Sequence, residues 1–306
     1  MITAQMVKEL REKTGAGMMD CKKALGEARG DMDKAAGIIR KKGMAVAVQK
    51  ADRITAEGVV EVYVSNDNKS AGIVEFNCET DFVAANSEFI TLAKNLARQA
   101  AVTNAANTKE FMEEKYIADA NSTVKEAVTA LIAKLGENMS VRKFEKFTTA
   151  DNIIQSYIHG GGRIGAVVEL ACAEDSPVLL EVAKTAAMQV AAANPLYLDP
   201  AVVDEDVVNE KRKGYKFEAL NEGKPENIAE KVAEGKLRKY FTEVCLLKQQ
   251  WVKNPDYTIV KYLQEKSKEV GTPISIVKYI RYERGEGIKK EENFAEAVQK
   301  QINPGR

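Results

Sequence analysis

Two segments of this chain repeat one pattern without a gap: YVSNDNKSAGIVEFNCETD at residues 63–81 and YIHGGGRIGAVVELACAED at residues 157–175. Nine positions match like for like at an offset of 94 residues, among them Glu75 with Glu169. Each segment is typical of two strands joined by a turn, and a helical pattern follows each of them. The sequence therefore predicts an internal duplication.

The helix after each segment matches at a smaller offset. Gln99 corresponds to Gln189, so the offset has fallen from 94 to 90 residues. The first repeat therefore carries four additional residues, which directly follow the tetrapeptide Thr80-Asp81-Phe82-Val83. Because a shared scaffold accounts for what the repeats have in common, the segment that differs is the first candidate for function.

The composition favours a cytoplasmic protein that recognises a partner by shape and local chemistry. Lys plus Arg and Asp plus Glu number 45 each, so no net charge attracts nucleic acid or a membrane surface. The apolar runs are far shorter than the roughly 20 residues that span a bilayer, and no signal-peptide core is recognisable. The four cysteines are scattered, which favours buried reduced thiols over a disulfide or a zinc site.

The sequence offers few groups for catalysis. His159 is the single histidine, and no hydrolase or metal-site motif surrounds it. Residues 160–165, GGGRIG, satisfy the glycine spacing of a dinucleotide-binding turn, but a predicted strand follows where that motif requires a helix. We therefore interpret these glycines as a hairpin turn. The P-loop pattern is also absent, so neither direct nucleotide binding nor a cofactor or metal is expected.

Residues 1 to about 55 predict three short helices. Each is followed by a glycine that could serve as a C-terminal cap, at Gly15, Gly30 and Gly43, and Asp31 is the predicted N-cap of the third helix. A unit of this size is typical of a docking module. Its 12 basic and 7 acidic residues form either a solvated surface or an RNA-binding face.

The remainder predicts two α+β subdomains with antiparallel strands, one for each repeat. A helix capped by Thr123 and Glu126 and ended by Gly136 precedes the second repeat. Residues 274–282 alternate like a strand that returns to the second subdomain, and the pattern of residues 291–302 predicts a final amphipathic helix.

An insertion interrupts the second repeat. From Asp204 to Lys239, 18 of 36 residues are charged, nine of each sign, and Pro225 suits the first position of a helix. The segment therefore predicts an antiparallel helical hairpin that projects into solvent. A sparse apolar stripe is expected to hold the two helices together, with self-association as the alternative: Val203, Val207, Ile228 and Val232.

The tetrapeptide Thr80 to Val83 has two interpretations. In the first, Asp81 caps a turn and Phe82 fills the core. In the second, the additional residues bulge outwards and expose Phe82 beside a carboxylate. An exposed phenyl ring forgoes roughly 1.5–3 kcal/mol of burial, so a fold tolerates it mainly where a partner takes up the ring. The residues alone leave both interpretations open.

Three motifs closely resemble the signatures of the bacterial elongation factor Ts family: TGAGMMDCKKAL at residues 14–25, ETDFVA at 79–84 and HGGGRIG at 159–165. The similarity continues through RYERGEG at residues 281–287 to the last helix. One position departs from the family pattern, because Ala85 stands where the family often has Lys or Arg.

The resemblance implies five parts. They are a ubiquitin-associated-like docking domain at residues 1–55, a core N-subdomain at 56–150, a core C-subdomain at 151–197 and 240–283, a coiled-coil or dimerisation hairpin at 198–239, and a C-terminal module at 284–306.

The resemblance also implies a function. Members of this family are guanine-nucleotide exchange factors for the GTPase elongation factor Tu and perform no covalent chemistry. By resemblance, the tetrapeptide Thr80 to Val83 enters the partner near its nucleotide and displaces magnesium. Further partner contacts are implied at His159, Gly160, Gly161 and Phe294. Membranes and nucleic acid are not expected partners, whereas a homodimer through the hairpin is an alternative.

Two rival functions come from other classes. The glycine turn with His159 could serve a small-molecule enzyme, and the basic N-terminal helices could bind RNA. Copurification of an equimolar GTPase favours the exchange factor, whereas a salt-sensitive RNA shift favours the RNA-binding module.

Overall fold

The computed structural model describes residues 2–173 and 176–288. Helices and antiparallel strand pairs alternate in two repeats, which confirms the predicted α+β class. The described residues form two compact units: the first within Met1–Glu61, Val74–Phe144 and Glu283–Arg306, the second within Val62–Ile73 and Glu145–Tyr282. Among the described helices, none is long and apolar enough to cross a membrane.

Three helices begin the chain: α1 at Ala4–Thr14, α2 at Met18–Glu27 and α3 at Met32–Lys50. Gly15 caps the C-terminus of α1 with φ 67°, as predicted. The cap of α2 is Ala28 instead of the predicted Gly30, which lies two residues further on with φ 86°. Asp31 caps α3 through the backbone N–H groups of the two residues after Met32, as predicted. The helices share a core that includes Leu10, Cys21 and Leu25.

The first repeat is built from nine elements. They are β1 at Glu57–Val64, β2 at Ser70–Cys78, α4 at Asp81–Ala84, α5 at Ser87–Val102, α6 at Thr108–Glu113, β3 at Lys115–Tyr116, β4 at Asp119–Thr123, α7 at Val124–Leu135 and β5 at Met139–Thr148. The first sheet has the order β1-β2-β5. Phe76 of β2 stacks on Phe89 of α5 with ring centroids 4.4 Å apart. Thr123 and Glu126 form the predicted capping box.

The prediction that Gly43 ends the third helix is wrong. This glycine lies inside α3 and is buried, and a Cβ added there would lie 3.4 Å from the Cβ of Ala133 in α7. Since α3 packs on α7, the missing side chain permits close approach of two helices instead of ending one. The third helix is consequently 19 residues long.

The second repeat begins with β6 at Ile153–His159, β7 at Ile164–Ala171 and α8 at Pro177–Ala193. It resumes after the insertion with β8 at Gln250–Trp251, β9 at Asn254–Thr258, α11 at Ile259–Val270 and β10 at Ser275–Glu283. The sheet order β10-β7-β6 confirms that the last strand returns to this repeat. In the hairpin, Ile153 pairs with Leu170 and His159 with Ile164.

The duplication extends further than the sequence pattern indicated. The offset of 90 residues between Gln99 and Gln189 becomes 135 between Thr123 and Thr258, which cap α7 and α11. Two-residue strands precede both caps, as β3 and β8. The insertion between α8 and β8 accounts for the change of offset, so β8, β9, α11 and β10 correspond to β3, β4, α7 and β5.

The insertion is an antiparallel pair of helices, α9 at Glu205–Asn221 and α10 at Glu226–Val244. Pro225 is the N-cap of α10, one residue before the predicted position. The predicted apolar stripe is partly wrong, because Ile228 is exposed. Small side chains and one leucine are buried instead: Ala219, Ala229, Ala233 and Leu237. Ion pairs join the two helices at Arg212–Glu234, Lys216–Glu230 and Lys236–Glu218.

The outer part of this hairpin should contribute little to the stability of the rest of the chain. We expect replacement of residues 213–233 by a short Gly/Ser linker to shift the melting temperature by no more than about 4 °C, since about 1 kcal/mol has that effect in a chain of this size. The reason is that α9 and α10 pack chiefly on each other. Differential scanning calorimetry tests this, and loss of the cooperative transition would assign the hairpin to the main core.

The division into five parts stays a prediction, because each of the two compact units combines residues from several of those parts. The final helix predicted at residues 291–302, with Phe294, lies outside the described residues.

Candidate functional site

The one-turn helix α4, Asp81–Ala84, lies between β2 and α5, where the first repeat carries its four additional residues. Thr80 is its N-cap, and the Thr80 hydroxyl accepts a hydrogen bond from the Val83 N–H at 3.4 Å. Ala84 is buried and Val83 half-buried, whereas Asp81 is exposed and Phe82 is 85% exposed. The interpretation that Phe82 fills the core is therefore wrong, and the exposed interpretation is confirmed.

Two N-caps explain why the chain makes this extra turn. Thr80 starts α4, and Asn86 starts α5 by accepting from the backbone N–H groups of Glu88 and Phe89. In the second repeat Ser176 caps the corresponding helix α8. Two capping side chains six residues apart break the helix and start it again, so α4 is a separate turn before α5.

The base of α4 is held by residues that directly follow α7. Both Glu137 carboxylate oxygens accept from Thr80, Oε2 from the backbone N–H at 3.0 Å and Oε1 from the hydroxyl at 2.6 Å. The Asn138 N–H donates to Glu79 at 2.6 Å, and Arg53 forms an ion pair with the same carboxylate at 3.4 Å. Sequence reasoning missed these contacts, because 57 residues separate Thr80 from Glu137.

Cys78 lies under the same segment. Its Sγ–H donates to the Thr80 carbonyl oxygen at 3.1 Å, and its side chain is fully buried. Burial, together with the negative charges of Glu137 and Glu57, raises the pKa of this thiol to about 12. The thiol therefore stays protonated and remains a hydrogen-bond donor throughout the neutral range.

This thiol should make the protein less stable at alkaline pH. An unfolded Cys78 ionises near its ordinary pKa of 9.0, whereas the folded residue keeps its proton to about 12. The folded state therefore binds more protons above pH 9.0, and the free energy of unfolding should fall by at most about 1.4 kcal/mol per pH unit for this group. Urea unfolding with reductant at pH values between about 8 and 11 measures the slope. Cys78→Ala should reduce it, and an unchanged slope would contradict the assignment.

The second candidate segment is the β6–β7 turn. Gly160, Gly161 and Gly162 all have positive φ, at 59°, 63° and 93°, which explains the three consecutive glycines. Strand β7 follows the turn, so the hairpin interpretation is confirmed. His159 is exposed at the end of β6, where its Nδ1 lies 3.3 Å from the Tyr157 hydroxyl.

The N-terminal motif divides between core and surface. Cys21 and Leu25 are buried among the three helices, while Met18 and Met19 at the start of α2 are 60% and 62% exposed. Asp20 forms an exposed ion pair with Lys42 of α3 at 3.0 Å, and the buried Cys21 and Leu25 hold α2 against the other two helices. The motif therefore presents two adjacent methionines on an anchored helix.

Comparison with known proteins adds a family assignment. A family model described as elongation factor TS matches residues 79–286. Among curated proteins, elongation factor Ts of Clostridium novyi (strain NT) is 59% identical over 304 residues, covering 99% of each chain. Elongation factor Ts of Clostridium botulinum (strain Loch Maree / Type A3) is 56% identical over 307 residues, covering 100% of each chain.

Proposed function

The chain belongs to the elongation factor Ts family, and on that premise we propose that it binds elongation factor Tu and promotes exchange of GDP for GTP. The observation that carries this proposal is the 85% exposure of Phe82 on an inserted turn. A large apolar side chain held in water beside the Asp81 carboxylate suits insertion into a protein partner. The tetrapeptide Thr80 to Val83 is the proposed point of entry.

The proposed mechanism needs no covalent chemistry from this chain. GTPases hold GDP through backbone amides, a lysine and a magnesium ion that bridges phosphate and protein. If the Phe82 ring displaces the elements that hold the metal, phosphate neutralisation is lost and GDP leaves faster. Asp81 is proposed to contact the partner or to orient the turn. The protein thus acts on a nucleotide that another protein binds.

Thermodynamic linkage explains how the cycle is completed. If this protein weakens nucleotide binding to the partner by some factor, the nucleotide weakens binding of this protein by the same factor. Incoming GTP, when in excess, can therefore release the exchange factor. The proposed exchange cycle takes place in the cytoplasm.

The remaining predicted contacts have separate proposed roles. His159, Gly160 and Gly161 form an exposed turn that suits a second contact with the partner. Phe294 keeps its proposed contact role by family resemblance alone. Self-association through α9 and α10 remains the alternative role of the helical hairpin.

The N-terminal helices are proposed to dock on the GTPase through Met18 and Met19. We expect the double change Met18→Asp and Met19→Asp to lower affinity for nucleotide-free elongation factor Tu at least about tenfold, because charge would enter an apolar contact. The fold should survive, since both side chains are mostly exposed. Val102→Asp, at an equally exposed apolar position on α5, is the control. Isothermal titration calorimetry that finds equal affinities would refute the docking role.

A direct assay tests the proposed function. Elongation factor Tu loaded with a fluorescent GDP analogue is mixed with this protein and excess GTP, and loss of fluorescence reports release. We expect release to accelerate with the concentration of this protein. No acceleration, together with a salt-sensitive RNA shift, would favour the RNA-binding alternative.

A further inference from the structure

Glu137 makes a two-point contact with the residue that starts the Phe82 turn. Its two oxygens accept from the two donors of Thr80, the N–H at 3.0 Å and the hydroxyl at 2.6 Å. Because the hydroxyl hydrogen points to Glu137, an oxygen lone pair remains for the Val83 N–H, which is the capping contact of α4. One carboxylate therefore fixes both the direction of the backbone and the orientation of the cap.

The contact belongs to a wider clamp under α4. Glu79 accepts from the Asn138 N–H at 2.6 Å, so the chain before α4 and the chain after α7 hold each other at two successive residues. The Asn138 side chain donates to the carbonyl oxygens of Ala51 and Arg53, at 3.2 and 2.9 Å. The base of the turn is consequently fixed to α7 and to the segment that follows α3.

The second repeat supplies an internal comparison. At the offset of 135 residues, Gly136-Glu137-Asn138 corresponds to Gly271-Thr272-Pro273. Both glycines end their helices in the left-handed conformation, with φ 80° and 83°, so the two loops start alike. In the second repeat, leaving aside residues 174 and 175, the structure describes no counterpart of α4, and Thr272 stands in place of the carboxylate. General stability of the repeat therefore does not require an acidic residue here, whereas the turn that carries Phe82 has one.

From this geometry we propose that Glu137 is a positioning residue that holds the turn of α4 so that Phe82 is presented to the partner in a fixed direction. The inference rests on the proposed function for its effect on exchange, but its structural part can be tested alone. If the turn that carries an exposed aromatic side chain is mobile, binding must also order that turn. The lost conformational entropy then weakens binding to the partner. Glu137 acts through its two hydrogen bonds with Thr80.

The first experiment measures order in the turn without any partner. The N–H groups of Ala84, Ala85 and Asn86 form the backbone hydrogen bonds of α4. We expect Glu137→Ala to accelerate their hydrogen exchange about tenfold, and Glu137→Gln to have a smaller effect because one oxygen acceptor remains. Glu113→Ala removes an exposed carboxylate paired with Lys125 and should change nothing.

The second experiment measures release of a fluorescent GDP analogue from elongation factor Tu with four proteins: the unmodified chain, Glu137→Ala, Phe82→Ala and the double variant. At saturating concentration we expect Glu137→Ala to reduce the acceleration about tenfold. Because Glu137 acts through Phe82, the double variant should be no slower than Phe82→Ala alone. If Glu137→Ala does not fold, Glu137→Gln takes its place in both experiments.

The outcomes separate the two claims. Unchanged hydrogen exchange in α4 would overturn the positioning role, whatever the release assay shows. Losses that multiply in the double variant would also overturn it, since Glu137 would then act independently of Phe82. If the unmodified chain does not accelerate release, the proposed function fails, and the hydrogen-exchange result still decides whether Glu137 orders the turn.

Discussion

Phe82→Ala should leave the fold almost as stable as before and slow the release of GDP from elongation factor Tu by roughly thirtyfold, equivalent to about 2 kcal/mol. The ring is 85% exposed in the free protein, so its removal leaves no cavity. In the proposed complex the same ring is buried and displaces part of the partner. Denaturant unfolding and stopped-flow release of a fluorescent GDP analogue measure the two effects side by side.

Phe89→Ala provides the matched control. Phe89 lies seven residues further along the chain, is fully buried and stacks on Phe76. Its truncation should cost about 3–5 kcal/mol of folding stability, with normal release per folded molecule. If Phe82→Ala showed this second pattern, the proposed entry of the ring into the partner would be rejected. Asp81→Ala should resemble Phe82→Ala with a smaller effect, because a carboxylate supplies less displacing bulk.

Local signals predicted much of the fold. Caps such as Asp31 and Thr123 bond to backbone groups within three or four residues, so the sequence alone predicted the helices that they start. The β6–β7 hairpin was predictable because its glycines are adjacent and both strands are apolar. These features depend on neighbouring residues alone.

Features that depend on distant residues were missed. Strands β3 and β8 have two residues each, which is too short for an alternating pattern. Strand β5 was missed because several of its positions are charged, and Arg142 is one of them. The structure explains that charge, since Arg142 forms a 2.9 Å ion pair with the fully buried Glu75. The sequence around Arg142 does not indicate this partner, because Glu75 lies 67 residues away.

Gly43 and Phe82 both show that one local sequence pattern can be compatible with two different structures. A glycine within a helical pattern can end the helix or admit a neighbouring helix, and the position of Ala133 decides which. A phenylalanine after a strand can fill the core or face solvent. For Phe82 the decision depends on the caps Thr80 and Asn86 and on the distant Glu137. The sequence identified the segment, whereas only the fold revealed its exposure.

The buried glutamines of the two repeats should have equal and large effects on local stability. Gln99 Nε2 donates to the Lys115 carbonyl at 3.0 Å and Oε1 accepts from the Ile117 N–H at 3.0 Å. Gln189 repeats this arrangement with the Gln250 carbonyl at 3.1 Å and the Val252 N–H at 2.9 Å. Each amide therefore replaces the backbone partners that a two-residue strand cannot supply.

Gln99→Leu should leave one carbonyl and one N–H of the β3–β4 hairpin without their partner, at about 1–3 kcal/mol each. Gln189→Leu should have the same effect on the β8–β9 hairpin. Because a chain with two compact units need not unfold in one step, native-state hydrogen exchange of each hairpin is the appropriate measurement. Each substitution should accelerate exchange in its own hairpin and leave the other unchanged.

A large effect at Gln99 with none at Gln189 would show that the same geometry in the two repeats does not contribute the same stability. Equal effects would show that the glutamine was retained in both repeats for the same physical reason, namely that it completes a strand pair too short to satisfy its own backbone.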